Sequence, residues 1–197
     1  MRKALISLLA LIGIVVITVQ MLGLSYIWKT LIYNYVDYDD YKIFDNRTIE
    51  AGEPWTWPNS TKLGTINIDE SLNNYHEEMQ TIGFLAIQND SVIFEKYYRD
   101  FDQNTIANSF SVAKSYVSML VGFAIKDGLI NSLDDKVTDY LPDLKNEVFG
   151  KISLRNLCTM SSGLEWKESY GGPINHTSEG YYGKDLWKLV SGLELID

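Results

Sequence analysis

The stretch SFSVAKSYVSMLVGFAIKDG, residues 109–128, predicts a helix with an almost wholly apolar body that carries Lys114 near its start. The helix is expected to end at Asp127, with Gly128 as the residue after the C-cap. A helix that is apolar on every side is expected to be buried. A charged lysine is unfavourable there, because burial removes its hydration and the helix N-terminus is itself partly positive. The position therefore favours a lysine that acts in its neutral form.

Ser111 lies three residues before Lys114, and residues i and i+3 of a helix are neighbours. Serine attacks well only when a base removes its proton, and a neutral lysine can be that base. The backbone N–H of Ser111, at the helix start, can also point at a developing oxyanion. In the alternative interpretation Ser109 or Ser111 caps the helix and Lys114 extends into solvent. Because about one Ser-x-x-Lys is expected by chance, the tetrapeptide alone does not decide between the two.

Local signals place a hairpin before this helix and a short helix after it. Residues 83–98 show two apolar-rich runs around the sequence NDS at residues 89–91, which predicts two antiparallel strands joined by a tight turn. The sequence SLRNLCTMSSGLEW, residues 153–166, predicts a short helix capped by Ser153 and then a Ser-Gly turn.

Three further segments complete the predicted organisation. Residues 69–80 are expected to form a short, polar-faced helix with Asp69 or Ser71 as its N-cap. Residues 129–144 are rich in turn-forming residues and are expected to form a connection. Another amphipathic helix is expected to begin near Lys184.

The order of these motifs, from the hairpin through Ser-x-x-Lys to the SSGLEW turn at residues 161–166, resembles a known superfamily. It is similar to the serine β-lactamases and penicillin-binding proteins, and specifically to class C-like hydrolases such as esterases, D-aminopeptidases and 6-aminohexanoate-dimer hydrolases. The resemblance covers about residues 80–197. It implies that Ser111 is the acylated nucleophile and Lys114 its partner. Tyr170, just after the turn, becomes a candidate for contacting substrate.

The resemblance implies an α+β fold of the β-lactamase/transpeptidase type, with an antiparallel sheet flanked by helices and an additional helical lobe. Two family motifs are absent from the sequence. A Tyr-x-Asn or Tyr-x-Ser should follow the SSGLEW turn, but the sequence YVS at residues 116–118 lies in the Ser111 helix, and its tyrosine points about 140° away from Ser111. The Lys/His-Thr/Ser-Gly strand motif is also missing. We therefore expect residues 69–197 to be the N-terminal portion of the hydrolase domain, incomplete at its C-terminus.

The first residues differ from the rest of the chain. Arg2 and Lys3 precede a run without charge, residues 4–28. About 20 apolar residues cross the hydrocarbon core of a bilayer, and leading cations favour a cytoplasmic N-terminus. We expect residues 1–29 to be a single-pass anchor in the cell membrane, in contact with lipid through residues 4–28. Residues 30–68 then form a juxtamembrane arm, and the catalytic domain lies on the periplasmic or extracytoplasmic side.

A cleaved signal peptide is the alternative, since the sequence GLS at residues 23–25 loosely satisfies the small-residue rule for cleavage. The length of the uncharged run favours the anchor, because it exceeds the apolar region of a typical signal peptide. The tyrosines of IYNYVDYDDY, residues 32–41, suit an interfacial aromatic belt, and a tyrosine-rich linker explains them equally well.

Composition and the remaining reactive residues exclude several classes of function. A net charge of −9 argues against nucleic acid as a partner, because phosphate binding relies on a basic surface. Cys158, the single cysteine, permits no intramolecular disulfide and is expected to be a small core residue. His76 is expected on a polar helix surface and His176 in a loop. No metal or cofactor motif is present in the sequence.

The sequence thus predicts a membrane-anchored serine hydrolase that acts on a small-molecule amide, ester or peptide substrate through a Ser-Lys acyl-enzyme. A catalytically inactive, membrane-tethered binding protein is one alternative. A truncated fragment with no function of its own is another, and the 197-residue chain is itself expected to be incomplete and inactive.

Overall fold

The computed structural model describes residues 1–196 and shows helices together with one small antiparallel sheet. Two compact units are present: Met1–Val36 together with the chain from Phe110 onward, and Asp37–Ser109. In chain order the elements are α1 (Arg2–Met21), α2 (Tyr26–Tyr33), a 3₁₀ turn (Asp40–Ile43), α3 (Glu70–Glu78), β1 (Gly83–Gln88), β2 (Ser91–Tyr97), a 3₁₀ turn (Phe110–Val112), α4 (Ala113–Lys126), α5 (Val137–Tyr140), α6 (Asn146–Phe149), α7 (Leu154–Cys158), α8 (His176–Tyr182) and α9 (Leu186–Ser191).

The predicted hairpin is confirmed. β1 and β2 pair antiparallel, from Gly83 opposite Tyr97 to the turn. Asn89 and Asp90 form that turn with φ values of +49° and +57°, the left-handed conformation that two-residue hairpin turns favour. A Cβ at Gly83 would lie 3.1 Å from the Tyr97 ring, so a larger residue at this position would require the ring to shift.

The predicted helix before the hairpin is also confirmed, but His76 does not lie on its surface. Asp69 caps α3, because its Oδ1 accepts a hydrogen bond from the Leu72 backbone N–H at 2.7 Å. The His76 ring is half-buried, with its centroid 4.6 Å from that of Phe84 and 5.3 Å from that of Tyr98. The expectation of a surface histidine is therefore wrong: the α3 face that carries His76 packs on the hairpin.

In the other unit an apolar core forms around α5, α6 and the start of α7. Its buried members are Val137, Leu144, Val148, Phe149 and Ile152. These residues come from the segment predicted as a turn-rich connection and from the residues directly after it. Short helices and turns bring them together, since Val137 N–H donates to the Ile152 carbonyl at 3.0 Å.

The predicted cap of α7 is confirmed. Ser153 Oγ accepts from the Asn156 backbone N–H, and the Asn156 side chain accepts from the Ser153 backbone N–H at 3.0 Å, which makes a reciprocal capping box. Cys158 is the last residue of α7 and is only partly buried. It is therefore not the core residue that the sequence indicated, because the apolar cluster contacts the start of α7 and not its end.

The uncharged N-terminal run forms two helices and not one continuous span. Gly23 has φ +74°, and its N–H donates to the Gln20 carbonyl while Leu24 N–H donates to the Val19 carbonyl. This pair of bonds is a Schellman ending, which terminates α1 at Met21. The chain then begins α2 at Tyr26, inside the stretch that was predicted to be one apolar segment.

The C-terminal part contains one helix that was predicted and one that was not. Asp185 caps α9, in agreement with the helix expected near Lys184. His176 is the first residue of α8, so its assignment to a loop is wrong. Asn175 caps α8 through a 2.8 Å bond from the Ser178 N–H. The helix has seven residues and an internal glycine, so its local sequence signal is weak.

Candidate active site

Ser111 and Lys114 meet at the start of α4. The 3₁₀ turn Phe110–Val112 leads directly into the helix, so that Ser111 lies in the turn and Lys114 in the first helical turn. Lys114 Nζ donates a hydrogen bond to Ser111 Oγ at 3.0 Å. The i, i+3 neighbourhood predicted from the sequence is therefore present, and the amine and hydroxyl are within direct proton-transfer distance.

Phe110 holds the backbone in an unusual conformation immediately before Ser111. Its φ is +45°, in the left-handed region that residues with a Cβ avoid. Such a conformation costs on the order of 1–3 kcal/mol and is found preferentially at functional sites. No local sequence signal predicts this conformation, because a left-handed position is normally marked by glycine or asparagine and not by phenylalanine.

The surroundings of the pair differ from the expectation. Ser111 and Lys114 are exposed, and α4 has no buried residue within the described chain. Large apolar side chains along the helix are exposed as well, among them Tyr116, Leu120 and Phe123. The prediction that α4 is buried is wrong for residues 1–196, because the elements described there do not cover the helix. Lys114 is thus exposed and not buried as predicted, but it does lie at the N-terminus of the helix as predicted.

The other end of α4 agrees with the prediction. Asp127 is the C-cap, and Gly128 follows it with φ +73°. Gly128 N–H donates to the Ile125 carbonyl at 3.1 Å, and Leu129 N–H donates to the Ala124 carbonyl at 2.9 Å. These bonds form a Schellman motif that ends the helix at a defined residue.

The SSGLEW turn is held by backbone bonds to the end of the described chain. Gly163 has φ +70°, and its carbonyl accepts from the Ile196 N–H at 2.8 Å. Glu165 N–H donates to the Glu194 carbonyl at 2.7 Å, and Leu164 and Leu195 form an isolated antiparallel bridge. The Ser-Gly turn predicted from the sequence is therefore present and is anchored to the segment after α9.

Tyr170 does not join the Ser111–Lys114 pair in this structure. It is 77% exposed, and its hydroxyl donates to the Glu168 carboxylate, not to Ser111 or Lys114. That hydrogen bond raises the pKa of Tyr170, because ionisation would remove the proton that the hydroxyl donates to Glu168. The structure thus brings together two of the three predicted site residues, and Tyr170 lies on a separate exposed loop.

A protein-family model described as Beta-lactamase matches residues 68–196 of the chain. Three curated relatives share shorter stretches. An uncharacterized protein of Alkalihalophilus pseudofirmus is 32% identical over 88 residues, which is 40% of this chain and 26% of the relative. The 6-aminohexanoate-dimer hydrolase of Paenarthrobacter ureafaciens is 30% identical over 99 residues, 50% of this chain and 25% of the relative.

A Beta-lactamase of Pseudomonas fluorescens is 38% identical over 61 residues, 31% of this chain and 17% of the relative. The matched stretches thus span about a quarter or less of the length of each relative. The family match itself covers well over half of the chain and includes Ser111, Lys114 and the SSGLEW turn.

Proposed function

The chain belongs to the beta-lactamase family, and on that premise we propose that it acts as a membrane-anchored serine hydrolase that cleaves amide or ester bonds through an acyl-enzyme. The observation that carries the proposal is the 3.0 Å contact between Lys114 Nζ and Ser111 Oγ, inside the matched region. The names of two relatives, 6-aminohexanoate-dimer hydrolase and Beta-lactamase, support the hydrolase part of the proposal. A small molecule with an amide or ester bond is the proposed substrate.

In the proposed reaction the neutral Lys114 amine takes the proton of the Ser111 hydroxyl while Ser111 Oγ attacks the substrate carbonyl carbon. The carbonyl π electrons move to oxygen, and the oxyanion is stabilised by N–H groups at the start of α4. When the carbonyl re-forms, the bond to the leaving amine or alcohol breaks and Lys114 returns the proton to it. Water then attacks the acyl-Ser111 ester with Lys114 again as the base, which releases the acid and restores both residues.

The N-terminal helix supports the anchoring part of the proposal. Among the described residues α1 is the helix long and apolar enough to cross a membrane, and none of its residues is buried. Its 20 residues extend about 30 Å, the thickness of the hydrocarbon core. Within residues 1–29 we assign α1 to the membrane-spanning anchor. We assign residues 30–68 to an arm, of which the first residues belong to α2, and residues 69–197 to the hydrolase domain. Arg2 and Lys3 favour a cytoplasmic N-terminus, and we therefore propose that the hydrolase domain lies outside the cytoplasm.

A fluorophosphonate probe tests the nucleophile. The full chain, in membranes, should be labelled on the peptide that contains Ser111, as read by mass spectrometry, and Ser111→Ala should abolish the label. Ser118→Ala is the matched control, because Ser118 is an exposed serine of the same helix, and it should leave labelling unchanged. If the chain keeps its circular dichroism spectrum but carries no label at Ser111, the chain does not act as a serine hydrolase, and the two non-catalytic alternatives, a membrane-tethered binding protein or an inactive fragment, become the better interpretations.

A further inference from the structure

The short helix α2 packs on the C-terminal part of its own unit. Tyr26 and Ile27 are 4% and 7% exposed, although they follow directly after a helix with no buried residue. The Tyr33 ring stacks on that of Tyr182 in α8, with centroids 6.0 Å apart and an interplanar angle of 15°. Tyr182 is itself buried. One face of α2 is therefore fixed against α8 by aromatic packing.

The opposite face of α2 is apolar and exposed. At 100° per residue, Leu31 and Ile32 lie across the helix from Tyr26, and they are 58% and 75% exposed. Trp28 lies between them on the same side and is partly exposed, and Tyr35, just after the helix, is 81% exposed. A soluble surface seldom presents a continuous patch of large apolar and aromatic side chains, so this face calls for an apolar partner.

The position of α2 along the chain identifies that partner. Only residues 22–25 separate α2 from α1, and the left-handed Gly23 turns the chain between them. If α1 fills the hydrocarbon core, α2 starts at the level of the lipid headgroups. Tryptophan and tyrosine are enriched at that level, since their rings are apolar while their N–H and O–H groups bind water. A helix with apolar side chains on its outer face lies flat in such an interface.

From these observations we propose that α2 is an interfacial helix: its Leu31–Ile32 face inserts among lipid headgroups, and its Tyr33 face holds α8 at the membrane surface. The inference rests on the proposed anchor and extends it. The helical unit that carries Ser111 is then docked on the bilayer by a folded contact, instead of being connected to α1 by a loose tether.

Spin labels measure where this face lies. In a Cys158→Ser background the full chain carries a label at Ile32→Cys or, as control, at Leu141→Cys, and is reconstituted in phosphatidylcholine–phosphatidylglycerol vesicles. Leu141 is an exposed leucine between Tyr140 and Asp143, in an acidic stretch that lipid disfavours. The Ile32 label should be more accessible to oxygen than to a water-soluble nickel chelate, and the Leu141 label should show the reverse.

The contact with α8 is tested with the same label. Tyr33 is 40% exposed, so its replacement does not threaten the fold. Tyr33→Ala should sharpen the spectrum of the Ile32 label, because the stacking on Tyr182 is lost, whereas Tyr33→Phe keeps a ring and should leave the spectrum broad. Equal mobility in the parent, Tyr33→Ala and Tyr33→Phe chains would overturn the docked helix.

Carbonate extraction, combined with the spin-label accessibilities, distinguishes failure of the interfacial helix from failure of the anchor. A chain that resists alkaline carbonate extraction, but whose Ile32 label is as accessible to the nickel chelate as the Leu141 label, overturns the interfacial helix and leaves the anchor intact. Release of the whole chain by carbonate overturns the anchor and the inference together. Labelling of Ser111 by the fluorophosphonate probe is independent of both results.

Discussion

The helices α1 and α4 share several features. Both are apolar, both end at a glycine with positive φ, and neither has a buried residue in residues 1–196. They differ in length and in the placement of charge. α1 has 20 residues, about 30 Å, and no charge after Lys3, whereas α4 has 14 residues, about 21 Å, and carries Lys114 and Lys126 near its two ends.

That difference shows that exposed apolar side chains alone do not identify a membrane segment. The hydrocarbon core of a bilayer is about 30 Å thick, so α1 can cross it and α4 cannot. Under the proposed function, lipid contact therefore belongs to α1, whereas α4 positions Ser111 and Lys114.

The largest effect is expected from charges placed in the middle of α1. Each arginine near the centre of a spanning helix costs about 2.5–3.5 kcal/mol of insertion free energy, so Leu11→Arg with Val15→Arg costs about 5–7 kcal/mol. The carbonate-resistant fraction of the chain should fall steeply. Leu120→Arg with Phe123→Arg, the same change at exposed positions of α4, should leave that fraction unchanged. Equal losses from both pairs would show that α4 also contacts lipid.

The next effect concerns the lysines of α4. Lys114→Ala should slow fluorophosphonate labelling of Ser111 by about 10²–10⁴-fold, the usual consequence of removing a general base. Lys126→Ala is the control, because it removes the same charge from the opposite end of the same helix. It should change the labelling rate little. Equal slowing in both variants would mean that Lys114 acts only through long-range charge, and parental rates in both would mean that Lys114 is not the base.

Features decided by a few neighbouring residues were predictable from the sequence. The hairpin turn at Asn89 and Asp90, the cap at Ser153 and the helix end at Gly128 each follow from local chemistry and are all present. The i, i+3 contact of Ser111 with Lys114 belongs to the same class, because helix geometry alone brings the two residues together.

Features decided by packing between distant segments were not predictable. The burial of Tyr26 depends on α8, about 150 residues later in the chain, and the half-burial of His76 depends on the ring of Phe84 across a turn. The sequence around Tyr26 or His76 does not indicate which distant residues will pack against them. The exposure of α4 was not predicted because an apolar pattern indicates only which helix face is expected to be buried. It does not specify which element packs against that face.

The smallest effect tests whether Gly122, inside α4, and Gly128, just after its C-cap, have different roles. Gly128 has φ +73° and ends the helix, whereas Gly122 lies in the helix interior with open space where a Cβ would be. An alanine in the left-handed conformation is destabilising by about 1–2 kcal/mol. In a helix interior, alanine is more stable than glycine by about 0.5–1 kcal/mol. Alanine substitutions at the two positions should therefore change the stability of the helix in opposite directions: Gly128→Ala lowers it and Gly122→Ala raises it.

Amide hydrogen exchange in α4 measures both changes in the membrane-reconstituted chain. Gly128→Ala should speed exchange in the last turn of the helix, since the N–H groups of residues 128 and 129 lose their fixed carbonyl partners at Ile125 and Ala124. Gly122→Ala should slow exchange along the same helix, because the backbone there loses less freedom on folding. Faster exchange in both variants would mean that α4 tolerates no added side chain at Gly122, and hence that this part of the helix is covered in the membrane-bound protein. Slower exchange in both variants would contradict the Schellman motif at Gly128, and with it the view that α1 and α4 end in the same kind of glycine-containing motif.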